Sequence, residues 1–246
     1  MVPDLSSLYD RVDAKRRRLF NQRPLPAERI ARVKQAQDLA WLHDGHLWGG
    51  GTMRQSDVET IVTTGMAVAG HPLVEHVEVS NLADALDWIE SWAKANGPMR
   101  LRDILHVHAL LNTGLPGANP GRFRTSELRI DGLATGHVPG MDIPRRMAHF
   151  CTLVNRRQRR HPIDRAVTAS ATLLATRPFG EGNDLVARLI LNGLLLQRAY
   201  PIAVLDDHER LHIAQQAAQM GDPGPLGLLV IDAVEHGLDR YLAALS

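Results

Sequence analysis

Cysteine is nearly absent. Cys151 is the only one in 246 residues, so no disulfide can form within the sequence, and a reducing compartment is the expected setting. Aromatic residues make up only 4%, so the core must be built from aliphatic side chains. An excess of one charge is also missing. A net charge of +1 excludes the broad electrostatic grip that nucleic acid or an acidic membrane surface calls for. No apolar run approaches the ~18 residues of a membrane span, and the first twenty residues lack the apolar centre of a signal peptide. The expectation is a cytoplasmic protein with no membrane or nucleic-acid partner.

What is present reads as helix. Apolar content of 44% and charged content of 22% suit a globular chain. Helical periodicity predicts helices over 5–20, 27–43, 55–68, 81–95, 100–112, 143–159, 163–176, 183–198, 207–220 and 227–245, with Asn81 as an N-cap. The stretch 45–52, "GHLWGGGT", reads as a glycine-rich break, and "RTSELRIDGLATGHVPG" predicts a β-hairpin over 125–137. The basic clusters at 15–18 and at Arg156, Arg157, Arg159 and Arg160 read as solvated helix faces. His106 and His108 are two apart on one helix and share no face, which argues against a His-pair metal site. The whole predicts an all-α architecture carrying one short hairpin flap.

One loop carries chemistry. Residues 177–183, "RPFGEGN", open directly into an apolar helix. Backbone N–H groups of a glycine-bearing loop at a helix N-terminus form an anion site. Asp184 stands where that loop meets the helix, a negative charge at the mouth of an anion hole.

In this order the features resemble the Fic-domain family, whose central motif reads HPFxDGNGRxxR and whose members typically transfer AMP from ATP to protein hydroxyls. The matching segment here runs from Arg177 to Arg188. "GHPLVEHVEVSNLADALDWI" is similar to the segment preceding the family's core, and "PGRFRTSELRIDGLATGHVPG" to its PGxYR stretch and target-binding flap. "HPIDRAVTASATLLATRPF" and "RLILNGLLLQRAYP" are similar to the helices on either side of the motif. The resemblance implies a helical Fic core over 71–246, with an N-terminal helical segment over 1–70 covering the pocket, and a possible homodimer. Many relatives carry an inhibitory SxAIEGN helix whose Glu blocks ATP. The matching stretch is read as 44–50, which puts Trp48 in the place of that Glu, give or take one residue.

The departures fall on the chemistry. The resemblance puts Arg177 at the catalytic His, Glu181 at the metal-binding Asp, Asp184 at the second Gly of GNG and Leu185 at the first Arg; Arg188 keeps the last Arg. A guanidinium stays protonated and cannot act as general base, a loss of about 10²–10⁴ in rate. Asp184 beside a phosphate at about 4 Å costs roughly 4 kcal/mol at an effective dielectric near 20. Leu185 removes a bidentate phosphate donor. ATP in the family pose is therefore disfavoured. Mg²⁺ on Glu181 stays open as a metal site, since one carboxylate plus substrate phosphates suffices.

The candidate catalytic residues are Arg177, Glu181, Asp184 and His46, the last as a replacement base beside the pocket. The candidate substrate-binding residues are Arg188, Asn183, Trp48, Arg124, Gly182 and His137. Several alternatives stand. Arg177 either binds a substrate anion, clamps the vacated position, or pairs with Glu181 or Asp184. Asp184 pairs with Arg177 or Arg188, or marks a loop reshaped for a smaller polar ligand. Trp48 stacks on a planar ligand or fills the nucleotide pocket. Asn183 caps its helix. Three functions follow. One is a divergent enzyme acting on a small-molecule or anionic substrate, another an inactive protein that binds a partner, and the third residual AMP transfer.

Overall fold

The computed structural model describes residues 5–126, 138–156 and 159–245. They form ten α-helices and a 3-10 turn at Gly140–Asp142: α1 Leu5–Asn21, α2 Ala27–Trp48, α3 Gln55–Thr64, α4 Leu73–Ala95, α5 Leu101–Asn112, α6 Ile143–Asn155, α7 Pro162–Thr176, α8 Asn183–Leu196, α9 His208–Gln219 and α10 Gly224–Ala243. No strand occurs among the described residues, and the hairpin expected over 125–137 lies almost wholly outside them.

The centre is α8. It is mostly apolar, and every residue from Val186 to Leu195 is buried, including Arg188 and Asn192, as in a helix enclosed by neighbours. It packs on α7 and α4, and α4 carries α5 along. The approach to α4 is close because residue 193 has no side chain. A Cβ there would stand 2.8 Å from Ile89 Cγ1 and 3.1 Å from the Trp92 ring. One hydrophobic cluster runs from Val12, Trp41 and Met53 through Leu189 and Ile190 to Leu238, so α1–α3 share the core of the later helices. Each large aliphatic side chain enclosed in it contributes about 1.5–3 kcal/mol.

The N-terminal helix is held to the C-terminal one by charge. Arg11 Nε donates to Glu235 Oε1 at 2.7 Å, and Lys15 meets both Glu235 and Asp239 at 2.7 Å. Arg16 donates to the Arg198 carbonyl, and the Tyr200 hydroxyl to Asp13. Part of the basic cluster at 15–18 thus fastens α1 to the body of the fold rather than facing solvent.

Four helices differ from the sequence expectation. α3 ends at Thr64 because Gly65 turns left-handed, and α6 ends at Asn155 because Arg156 is extended. α2 does not stop at residue 43 but runs through Gly45 to Trp48. Gly45 is a contact glycine and not a breaker, since a Cβ there would press to 2.8 Å from Leu82 Cδ2. α4 starts at Leu73, directly after Pro72, so Asn81 is mid-helix. Instead of capping, its amide donates to the carbonyls of Leu111 and Thr113 and fixes the end of α5.

Candidate functional site

The loop between α7 and α8 is set by backbone geometry first. Arg177 ends α7 in the left-handed region, φ 43° and ψ 66°, with its N–H returned to the Leu173 carbonyl at 2.8 Å. A non-glycine residue held there costs on the order of 1 kcal/mol, so the surroundings must impose it. They do so through Arg124, which is buried and commits its guanidinium to backbone carbonyls. Nε donates to the Arg177 oxygen at 2.7 Å, Nη1 to Ser126 at 2.9 Å and Nη2 to Val138 at 2.7 Å. Arg124 thus holds the loop to the end of α7.

Asn183 has a similar task. Its Oδ1 accepts from the Phe179 N–H and its Nδ2 donates to the Phe179 carbonyl, both at 2.9 Å. The expected side-chain cap is not made. The N-cap of α8 is Gly182, at φ 68°, where a Cβ would lie 3.3 Å from Asn112 Nδ2. The first-turn amides of α8 have no side-chain cap.

Phe179 is fully buried, and the ring of His108 lies flat on it, with centroids 3.8 Å apart and planes at 3°. His108 Nδ1 accepts the Gly121 N–H at 3.0 Å. Burial pushes its pKa down to about 4, partly opposed by the backbone of Glu181, so the imidazole is neutral. Above it opens a cavity of about 320 Å³ lined by His108, Arg122, Arg124, Ser126, Gly180 and Glu181. Glu181 is exposed there.

Of the three alternatives for Arg177, the pair with Glu181 or Asp184 is not seen among the described residues. Among the described residues its guanidinium has no ion pair, and its Nε is buried without a hydrogen-bond partner. Asp184, half-buried in the first turn of α8, likewise has no ion pair among the described residues.

The partner of Arg188 is a residue the sequence reading did not single out. Arg188 is 2% exposed, and its Nη2 meets Oδ2 of Asp44, itself 3% exposed. Asp44 Oδ1 takes the Nε2 of His208 at 2.7 Å. Arg188 lies over the buried Trp41 ring, 5.8 Å from its centroid, and its Nε and Nη1 are buried without partners. Trp48 sits one turn beyond Asp44 and meets the ring of His208 edge-on at 5.4 Å. The acid that reaches the motif is therefore Asp44, where the sequence reading had put Trp48. The signal was available: "DGH" at 44–46 has the acid-glycine-polar order of EGN.

His46 is turned elsewhere. Its ring lies over Gly51, and its Nε2 pairs with Glu75 Oε2 at 3.1 Å, while Glu75 also takes the N–H and hydroxyl of Thr52. Burial lowers the His46 pKa despite the carboxylate beside it. This cluster ties α2 to α4, and the hydrogen bonds of the His46 ring do not involve the motif loop. His137 lies outside the described residues. Among those residues there is no group of three or more His, Cys, Asp or Glu side chains placed to hold a metal ion, and no helix is long and apolar enough to cross a membrane.

Residues 98–195 match the model of the Fic/DOC family. The protein adenylyltransferase Fic of Aedes aegypti is 31% identical over 97% of this chain and 48% of its own length; that of Nematostella vectensis is 28% identical over 96% and 56%. The chain thus spans about half the length of the curated relatives it matches. Among solved structures, Fic-1 (aa134–508) from C. elegans superposes with a TM-score of 0.88 at 22% identity over 97% of this chain and 72% of that one. A Fic domain containing signaling protein from Bacteroides thetaiotaomicron superposes at 0.86 and 17% identity, over 96% and 97%.

Proposed function

The chain belongs to the Fic-domain family, and within it we propose a divergent member that has lost the AMP transfer of its named relatives and acts on a small anionic substrate at the reshaped motif loop. The observation that carries this reading is Arg177. A guanidinium stands where the resemblance expects a base, with a buried Nε–H that has no acceptor among the described residues. A buried donor without a partner costs about 1–3 kcal/mol, which a carboxylate or phosphate oxygen would recover.

The residues present do not fit a magnesium triphosphate. Leu185 offers no donor, Asp184 adds a carboxylate to the first turn of α8, and Arg188 at the other end of the motif already has its Nη2 on Asp44. Glu181, exposed on the cavity beside His108, is the group placed to move a proton or to meet a metal brought in with the substrate. His108 is neutral and supports the loop from below.

A thermal-shift screen of carboxylate and phosphate metabolites tests the reading. An anion that raises the melting temperature of the wild type and fails with Arg177→Ala supports it. A screen in which every shift survives Arg177→Ala removes it. A second reading, an inactive protein that acts by binding a partner, is favoured by the closed Asp44–Arg188 contact. It gains if no small molecule shifts the melting at all. Residual AMP transfer is the third, and labelled ATP with Mg²⁺ decides it.

A further inference from the structure

A second cavity, of about 500 Å³, opens where the end of α6 meets the start of α7. Its floor is apolar: Val154 is buried and Leu153 remains 38% exposed. Its rim carries Arg156, Arg159, Arg160 and Arg165. Among the described residues the one ion pair these arginines make is Arg160 with Asp164 at 3.8 Å, a well-exposed pair worth little. Arg165 converts a charged helix end into a groove. Its Nε is buried without a hydrogen-bond partner, and it has no ion pair among the described residues. Burial lowers its pKa and the nearby Arg198 adds to that, though a guanidinium so placed stays charged.

Four guanidinium groups around one apolar floor repel each other until acceptor oxygens arrive. The geometry points to a docking groove for an acidic segment of a partner protein, in which carboxylates alternate with apolar side chains. The carboxylates meet the arginines in fork geometry, and the apolar side chains rest on Leu153. Nucleic acid fits less well. The one ring in the lining, Phe150, is 2% exposed and offers no stacking surface, and the chain as a whole carries only +1. A free phosphate would leave the apolar floor uncovered.

Fluorescence anisotropy on the full chain tests this, with a labelled peptide of roughly eight alternating Glu and Leu residues, about 27 Å when extended, and its Gln and Leu counterpart. The Glu peptide should bind at least about tenfold more tightly than the Gln peptide. Arg165→Gln should weaken it about tenfold, Arg165→Lys should weaken it less, and the exposed Arg145→Gln should leave it unchanged. Melting curves establish that each variant is folded, and Arg165→Lys serves as the test variant if Arg165→Gln is not. Equal affinity for the two peptides, no effect of either substitution at Arg165, or tighter binding of a single-stranded oligonucleotide would overturn the proposal.

Discussion

Asp44 on α2 and Arg188 on α8 lie 144 residues apart in the chain and meet as a buried ion pair, which His208 completes from α9. Three helices are thereby tied at one carboxylate. Removing one partner leaves the other charge buried alone. Asp44→Ala should therefore lower stability by about 3–5 kcal/mol in urea denaturation, whereas Asp44→Leu combined with Arg188→Met should lie within about 2 kcal/mol of the wild type. Strict additivity of the two single changes would contradict the pairing.

The stitch made by Asn183 yields a smaller effect. Asn183→Ala leaves the buried N–H of Phe179 without its acceptor, an expected loss of about 1–3 kcal/mol. Asn183→Asp keeps an acceptor for that N–H but buries a carboxylate against the Phe179 carbonyl at a site 2% exposed, so it should be at least as destabilising as Ala. Equal stability of all three proteins by urea denaturation would remove the stitch from the account.

His108 makes stability depend on pH. Its folded pKa is about 4 against an ordinary 6.5, so below 6.5 the unfolded chain takes up a proton that the folded one refuses. Its contribution is thus lost as pH falls from about 6.5 towards about 4, reaching on the order of 3 kcal/mol. The difference between wild type and His108→Gln, measured by urea denaturation at several pH values, isolates this from other groups. Two parallel pH profiles would show that His108 does not titrate as described.

Much of the fold was legible because its helices bury strongly periodic apolar faces, and α8 was readable from its high aliphatic content. Residues 45–52 were not, because a glycine in sequence does not declare whether it breaks a helix or lets another helix approach. Gly45 does the latter against Leu82. With α2 continuous through Gly45, Asp44 lies on the helix and reaches Arg188. The roles of Arg124 and Asn183 were hidden for a related reason. Their partners are backbone atoms, and residue types at the partner positions carry no trace of such bonds. Their presence at the loop was readable, while their commitment to holding it was not.

His46 gives the same lesson in testable form. A Cβ at residue 51 would stand 2.0 Å from the His46 ring. Gly51→Ala should displace that ring, break its pair with Glu75 and lower the melting temperature, while leaving the response to anions at Arg177 intact. A variant with unaltered melting would place the ring elsewhere.

The central claim is that the motif loop no longer receives a magnesium triphosphate. Calorimetric titration of the wild-type chain with ATP and Mg²⁺ tests it most directly. The account predicts no saturable binding up to about 1 mM nucleotide. Saturable binding in the micromolar range, abolished by Arg188→Ala, would contradict it.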